Sequence, residues 1–182
     1  MNSDRKIAII VGILTLISAI TYGVGSSFFA PVLYGPDYLT NLNTITTQVV
    51  IGMLFELTTA LSVVGIPVML FPVLKRYSET IAIGYLSFRM IEAIMIIVSE
   101  IFLLSLLTLS TEFVKSGAPD VSYFQTFGML LITGRYWTCD MVLIPLTMGY
   151  LMFFYLLYKT KLVPRFISIW GLVGMISFLI AV

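Results

Sequence analysis

The chain has 182 residues, 59% of them hydrophobic and 10% charged, with a mean hydropathy of +1.06. Soluble domains are about 45–50% apolar and about 25% charged, so this composition describes an integral membrane protein, read as one all-α domain over residues 1–182. A net charge of +1 leaves no basic field for nucleic acid, and the absence of histidine excludes His-ligated haem, His-containing zinc sites and His-based triads.

A membrane helix needs about 20 mostly apolar residues. The first such run, Ile7 to Phe29, is too long for a signal peptide and lacks an A-x-A exit, so it reads as a retained span. "PVLYGPDYLTNLNTITTQ", with Pro31, Gly35 and Pro36, reads as a loop. Val49 to Leu74 is the second span, with Pro67 and Pro72 expected to bend its end. "KRYSET" is a polar turn, Ile81 to Leu109 is the third span, and "STEFVKSGAPD" is the next loop.

Residues 121–158 are too long for one ordinary span, and a break is expected near Gly134-Arg135. Trp137 to Tyr158 is then the fourth span, leaving 121–134 as a short interfacial or re-entrant helix. Charge supports this division. Positive loops face the cytoplasm, and Arg5, Lys6, Lys75, Arg76, Lys159, Lys161 and Arg165 share one side only if an odd number of crossings separates Asp120 from Lys159. Phe166 to Val182 is the last span, ending flush with the apolar region, as in a chain that continues or has been shortened. The expected architecture is a polytopic bundle of about five spans in the cell membrane, N-terminus cytoplasmic. Trp137, Trp170, Tyr150, Tyr155 and Tyr158 fall at or near the interfaces.

Ionisable residues inside such spans each cost roughly 2.5–3.5 kcal/mol near a helix centre, and they define the candidate site. Glu56 lies in the second span, and Arg89, Glu92 and Glu100 in the third; Asp140 lies near the outer end of the fourth. At about 100° per residue, Glu100 sits about 20° from Arg89 and Glu92 about 60° to the other side. Tyr85, Arg89, Glu92, Ile96 and Glu100 therefore share one stripe. With about 1.5 Å of rise per residue, Glu56 and Glu100 come to one level about 10–13 Å below the outer helix ends. Arg89 lies about 16 Å deeper than Glu100, within reach of Glu92 or of Thr15 and Ser18 on the first span. Arg135 is expected to match Asp140 at the rim. Three glutamates against Arg89 leave −2, which a low dielectric does not sustain: carboxyls take up protons, or a cation or cationic ligand binds. The plainer alternatives are a packing ion pair at Arg89–Glu92 and neutral, hydrogen-bonded acids at Glu56 and Glu100.

No P-loop, G-x-G-x-x-G or G-x-S-x-G occurs, and no cofactor or metal ligand set is expected. The single cysteine, Cys139, cannot form an internal disulfide and reads as a small apolar filler.

"ELTTALSVVGIPVMLFPVLKR", "GYLSFRMIEA", "KSGAPDVSYFQTFGMLL" and "LLYKTKLVPRFISIWGLVG", with the opening "MNSDRKIAIIVGILTLIS" and "PDYLTNLN" in the first loop, resemble the bacterial membrane family numbered 4386 among domains of unknown function. The resemblance covers essentially the whole chain. It implies that Glu56, Arg89 and Glu92 fall on characteristic polar positions, and that relatives run longer by a further helix. It also implies "RDW" at the start of the fourth span, where this chain has "RYWTCD". It carries no activity. The residues favour a site that binds or transports a small molecule, proton or cation. A lipid-modifying enzyme would use Glu56 or Glu100 as acid/base and Arg89 to hold a headgroup, but lacks a nucleophile. A structural subunit, oligomeric or bound to a partner, would use the charges to set helix register.

Overall fold

A computed structural model describes residues 3–35, 37–117 and 121–181. Among the described residues seven helices follow one another: α1 Ser3–Ser27, α2 Ala30–Leu33, α3 Tyr38–Thr44, α4 Thr46–Leu74, α5 Glu79–Lys115, α6 Val121–Thr160 and α7 Arg165–Ala181. Four of them, α1, α4, α5 and α6, are long and apolar enough to cross a membrane, which is consistent with a membrane protein; α7 is a shorter apolar helix. They pack in series: α1 on α4, α4 on α5, α5 on α6 and α6 on α7.

The exposure pattern is the reverse of a soluble protein's. Leu16, Ile20 and Leu61 are 65%, 62% and 75% exposed, whereas Glu56, Arg89, Glu92 and Glu100 are 2–3% exposed. A chain in water buries its apolar side chains; here apolar faces point outward and polar ones inward, the distribution a hydrocarbon surround favours.

Helix ends follow local chemistry. The Ser78 side chain accepts from the Ile81 N–H and caps α5, with Glu79 in its first turn complementing the helix dipole. Lys161 adopts a φ of 57° just beyond α6, which stops the helix, and Pro164 precedes α7. At this same end Arg76 donates to both carboxylate oxygens of Asp4, at 3.0 and 3.1 Å. The start of α1 and the α4–α5 turn therefore lie side by side at one basic end of the bundle. Asp4 holds the exposed Arg76 guanidinium above its ordinary pKa through hydrogen bonding and charge.

The opposite end differs from the sequence expectation in two ways. The segment read as a loop after the first span contains α2 and α3. Leu33, Leu39 and Leu42 pack there with Phe29, Leu103 and Leu106 in one buried cluster. The Ser110 hydroxyl donates to the Leu39 carbonyl, and the Tyr38 hydroxyl donates to the Gln125 carbonyl at 3.1 Å. These elements form a small helical cap. Residues 118–120 of the expected loop "STEFVKSGAPD", including Asp120, lie outside the described residues.

The second difference is that 121–134 is no separate interfacial or re-entrant helix. It is the first third of α6, which runs unbroken for 40 residues. Gly134 is a close approach, with a Cβ there falling 2.6 Å from the Phe102 ring. The missing side chain admits α5 and leaves the helix intact. At about 1.5 Å per residue, α5 and α6 reach roughly 55–60 Å, twice the roughly 30 Å hydrocarbon thickness. Their far ends therefore build the cap. Pro67, Pro72 and Pro145 lie within continuous helices.

Helices α1 and α4 cross at Gly25 and Gly52. A Cβ on Gly52 would lie 2.7 Å from the Gly25 carbonyl oxygen and 2.9 Å from the Phe29 ring. A backbone oxygen cannot swing aside, so Gly52→Ala is expected to lower stability by about 1–3 kcal/mol, despite a gain of about 1 kcal/mol in helix propensity. Thermal unfolding in detergent measures this; an unchanged or higher midpoint contradicts the close crossing.

Candidate functional site

The stripe on α5 is that helix's buried face: Tyr85, Arg89, Glu92, Ile96 and Glu100 are all buried. Its four or three residue spacing keeps these side chains on one side, turned towards α4 and α6. They fall into two ionic clusters.

Arg135 of α6 organises the first, near the cap. Its guanidinium donates to Glu100 Oε1 at 2.7 Å and to the Ser99 carbonyl at 2.9 Å through Nη1, and to Glu56 Oε2 at 2.8 Å through Nη2. The Phe29 ring lies 4.9 Å from the guanidinium carbon, a cation–π contact. One side chain thus joins α4, α5 and α6. The two carboxyls therefore bind the same guanidinium, one through each terminal nitrogen. Two oxygens, Glu56 Oε1 and Glu100 Oε2, are buried without a partner.

The second cluster lies nearer the basic end. Arg89 Nη1 donates to Glu92 Oε2 at 2.6 Å, one turn along the same helix. The guanidinium carbon sits 4.8 Å from the Tyr150 ring. Tyr150 in turn lies near Tyr85, which stacks on Phe153. Arg89 Nε is buried and donates to nothing.

Arg135 does not match Asp140. Five residues apart on a helix is about 140° of rotation, so when Arg135 faces Glu56 and Glu100, Asp140 cannot meet it. Asp140 is half-buried and makes no ion pair among the described residues. Thr15 donates its hydroxyl to the Val11 carbonyl of its own helix and does not reach Arg89.

Two cavities flank the Arg135 cluster. One, of about 200 Å³, lies towards the cap and is bordered by Tyr22, Phe29, Tyr34, Glu56, Arg135 and Asp140. The other, of about 270 Å³, extends towards the basic end and is bordered by Ser18, Tyr22, Glu56, Arg89, Glu92 and Tyr150. Tyr22, Glu56 and Cys139 border both. Cys139 is therefore a wall of the site as well as a small filler. Sequence reasoning placed Arg135 at a rim; reading 121–160 as one helix would have put it in mid-span and marked it as a partner for the excess acids.

A bundle of membrane-spanning dimensions with an ionic network at its centre is the class this fold and site define. Within that class, the model of the domain of unknown function DUF4386 matches residues 10–182, and the chain belongs to this family. No curated protein and no solved structure matches it.

Removing one partner of a buried ion pair costs about 3–5 kcal/mol, because the other charge stays buried. Arg135→Leu, which leaves Glu56 and Glu100 facing each other, is expected to destabilise by that order. Adding Glu56→Gln and Glu100→Gln to Arg135→Leu removes the stranded charges and is expected to recover at least half of the loss. Unfolding midpoints of the two variants measure both; equal midpoints contradict the pairing.

Proposed function

We propose that this is a membrane-embedded binding protein whose acidic site takes up one positive charge, as a proton or a small monovalent cation, for transport or sensing. The observation that supports it is a charge count. Glu56, Glu92 and Glu100 face Arg89 and Arg135, leaving −1 among five buried side chains, and the two unpartnered carboxylate oxygens are Glu56 Oε1 and Glu100 Oε2. A proton held between the two carboxyls supplies the missing hydrogen bond and neutralises the cluster in one step. A cation reached through either cavity does the same.

The measurement is infrared difference spectroscopy of the purified protein between neutral and acidic pH. A protonated-carboxyl band that shifts with deuterium and disappears in both Glu56→Gln and Glu100→Gln is expected. A band unchanged in both variants removes the proposal.

A structural role is the second reading, favoured by the way Arg135 ties three helices together. It predicts that the neutral triple variant Glu56→Gln, Glu100→Gln, Arg135→Leu keeps full biological activity as well as fold; the binding reading predicts that activity is lost.

The orientation belongs to the same proposal. The basic end, with seven of the ten Lys and Arg residues, is the cytoplasmic one by the positive-inside rule. The cap then faces outward, with α7 as a fifth span of about 25 Å. In a Cys139→Ala background, a membrane-impermeant maleimide applied to intact cells is expected to label Lys115→Cys and to spare Lys75→Cys. The opposite pattern inverts the topology.

A further inference from the structure

The larger cavity has a composition that narrows its ligand, and this inference rests on the acidic-site reading above. Its walls are α1 and α6, and its floor is α4 and α5. Among the described residues, α1 and α6 make no substantial packing contact with each other. The cavity lies between them, lined by Ser18, Ala19 and Tyr22 of α1 and by Cys139, Val142 and Leu146 of α6. Ala19 of α1 is exposed at the mouth, and Leu146 of α6 is half-buried opposite it. Outside, α1 presents Ile9, Ile13, Leu16 and Ile20. An apolar molecule dissolved in the bilayer can reach the cavity sideways, without passing through water.

Inside, the lining is apolar along Val63, Ile96, Val142 and Leu146, with polar atoms concentrated at the two ends. At the cap-side end is Glu56, 2% exposed, with Oε1 unpartnered. At the other end is Arg89, 3% exposed, with the Nε donor unpartnered. These are a buried acceptor with surplus negative charge and a buried donor whose own charge Glu92 already balances. A ligand that satisfies both carries a charged donor at one end and a neutral acceptor at the other. An anion fits neither, because it would add a second negative charge to a region that already holds −1. Tyr22 and Tyr150 supply aromatic faces beside the two ends. Size sets the rest: a cavity of about 150 Å³ holds one benzene, so 270 Å³ accommodates one ring with a short chain.

We infer that the α1–α6 cavity binds a lipophilic primary amine as its monocation, a single ring or equivalent body with a hydroxyl or carbonyl at the far end, admitted from the bilayer. The ammonium lies at the Glu56 end, the body along Val63, Ile96, Val142 and Leu146, and the far oxygen at the Arg89 end; Glu56 and Arg89 turn to bring Oε1 and Nε, both fully buried in this structure, onto the ligand. The amine brings the +1 that a proton otherwise supplies at Glu56 and Glu100, so the two compete.

The experiment uses full-length protein in lipid nanodiscs and radiolabelled tyramine as the probe. Saturable binding is expected, weakened by about tenfold in Glu56→Gln, the loss of one charged hydrogen bond. 3-(4-Hydroxyphenyl)propionate, with the same body and a carboxylate in place of the ammonium, is expected not to compete. Phenethylamine, which lacks the far oxygen, is expected to compete more weakly than unlabelled tyramine. Ala19→Trp fills the mouth from an exposed position without touching an acid; it is expected to abolish tyramine binding while the infrared carboxyl band stays as in the parent. Absence of saturable binding, equal competition by the carboxylate, or undiminished binding in Ala19→Trp overturns the inference. If the band is present and tyramine does not bind, only this inference falls. If both are absent, the acidic-site reading falls with it.

Discussion

One guanidinium carries the middle of this protein. Arg135 reaches from α6 to a carboxylate on α4 and to another on α5, and accepts no substitute from its own helix. Fork geometry explains why arginine stands there: two donor edges diverge from one plane, so carboxylates from different helices can each receive a straight, charged hydrogen bond. A lysine ammonium is a compact point charge without this planar fork. Burial raises the stakes. Desolvating three charges is unfavourable in itself, and only their mutual attraction and the Ser99 carbonyl offset it. The helices are therefore held at one mutual height. A slip by a single turn would move a charge about 5 Å along the axis, away from its partner.

Around that constraint the rest of the bundle is arranged asymmetrically. On the α4–α5–α6 side, long helices pack over most of their length and extend into a cap with its own apolar cluster. On the other side, among the described residues, α1 packs mainly on α4, through the Gly25–Gly52 crossing and the Thr21–Thr59 hydroxyl pair at 2.7 Å. Small residues and hydroxyl pairs are how helices associate in a hydrocarbon solvent, where apolar side chains gain nothing by leaving lipid. The cavity between α1 and α6 follows from this serial packing. Beyond Lys6, α1 carries no charged side chain to be drawn across to α6, and the polar groups on α4 and α5 are left lining a cavity.

The two ionic clusters are chemically unequal. Arg89 and Glu92 are a closed pair on one helix, one turn apart, and require no neighbour to be neutral. Glu56, Glu100 and Arg135 are drawn from three helices and stay one positive charge short. The first can be a fixed wall. The second keeps its deficit, and Tyr22 and Glu56 border the space on both of its sides. That unequal charge is the contrast on which the proposed binding of a cation or proton rests.

Periodicity and hydropathy were enough to show a helical bundle of membrane-spanning dimensions, and to put Arg89, Glu92 and Glu100 on one face with Glu56 level with Glu100. Those properties depend on residues within one helix, or on two helices joined by a short turn, so rise and rotation per residue settle them. Arg135 was misplaced because Gly134 before it looks like a helix break. Whether glycine ends a helix or admits a neighbour depends on what lies opposite, here Phe102 from a helix 32 positions earlier in the chain. The helical cap was hidden for a similar reason: α2 and α3 are short and rich in loop-forming residues, and it is burial against α5 that keeps them helical. The sequence alone determined that Glu56, Arg89, Glu92 and Glu100 must be hidden from lipid and left them two positive charges short; the buried Arg135 reduces that deficit to one. Only the tertiary structure decided which arginine meets which carboxylates, because that pairing is set by the height and rotation of one helix against another.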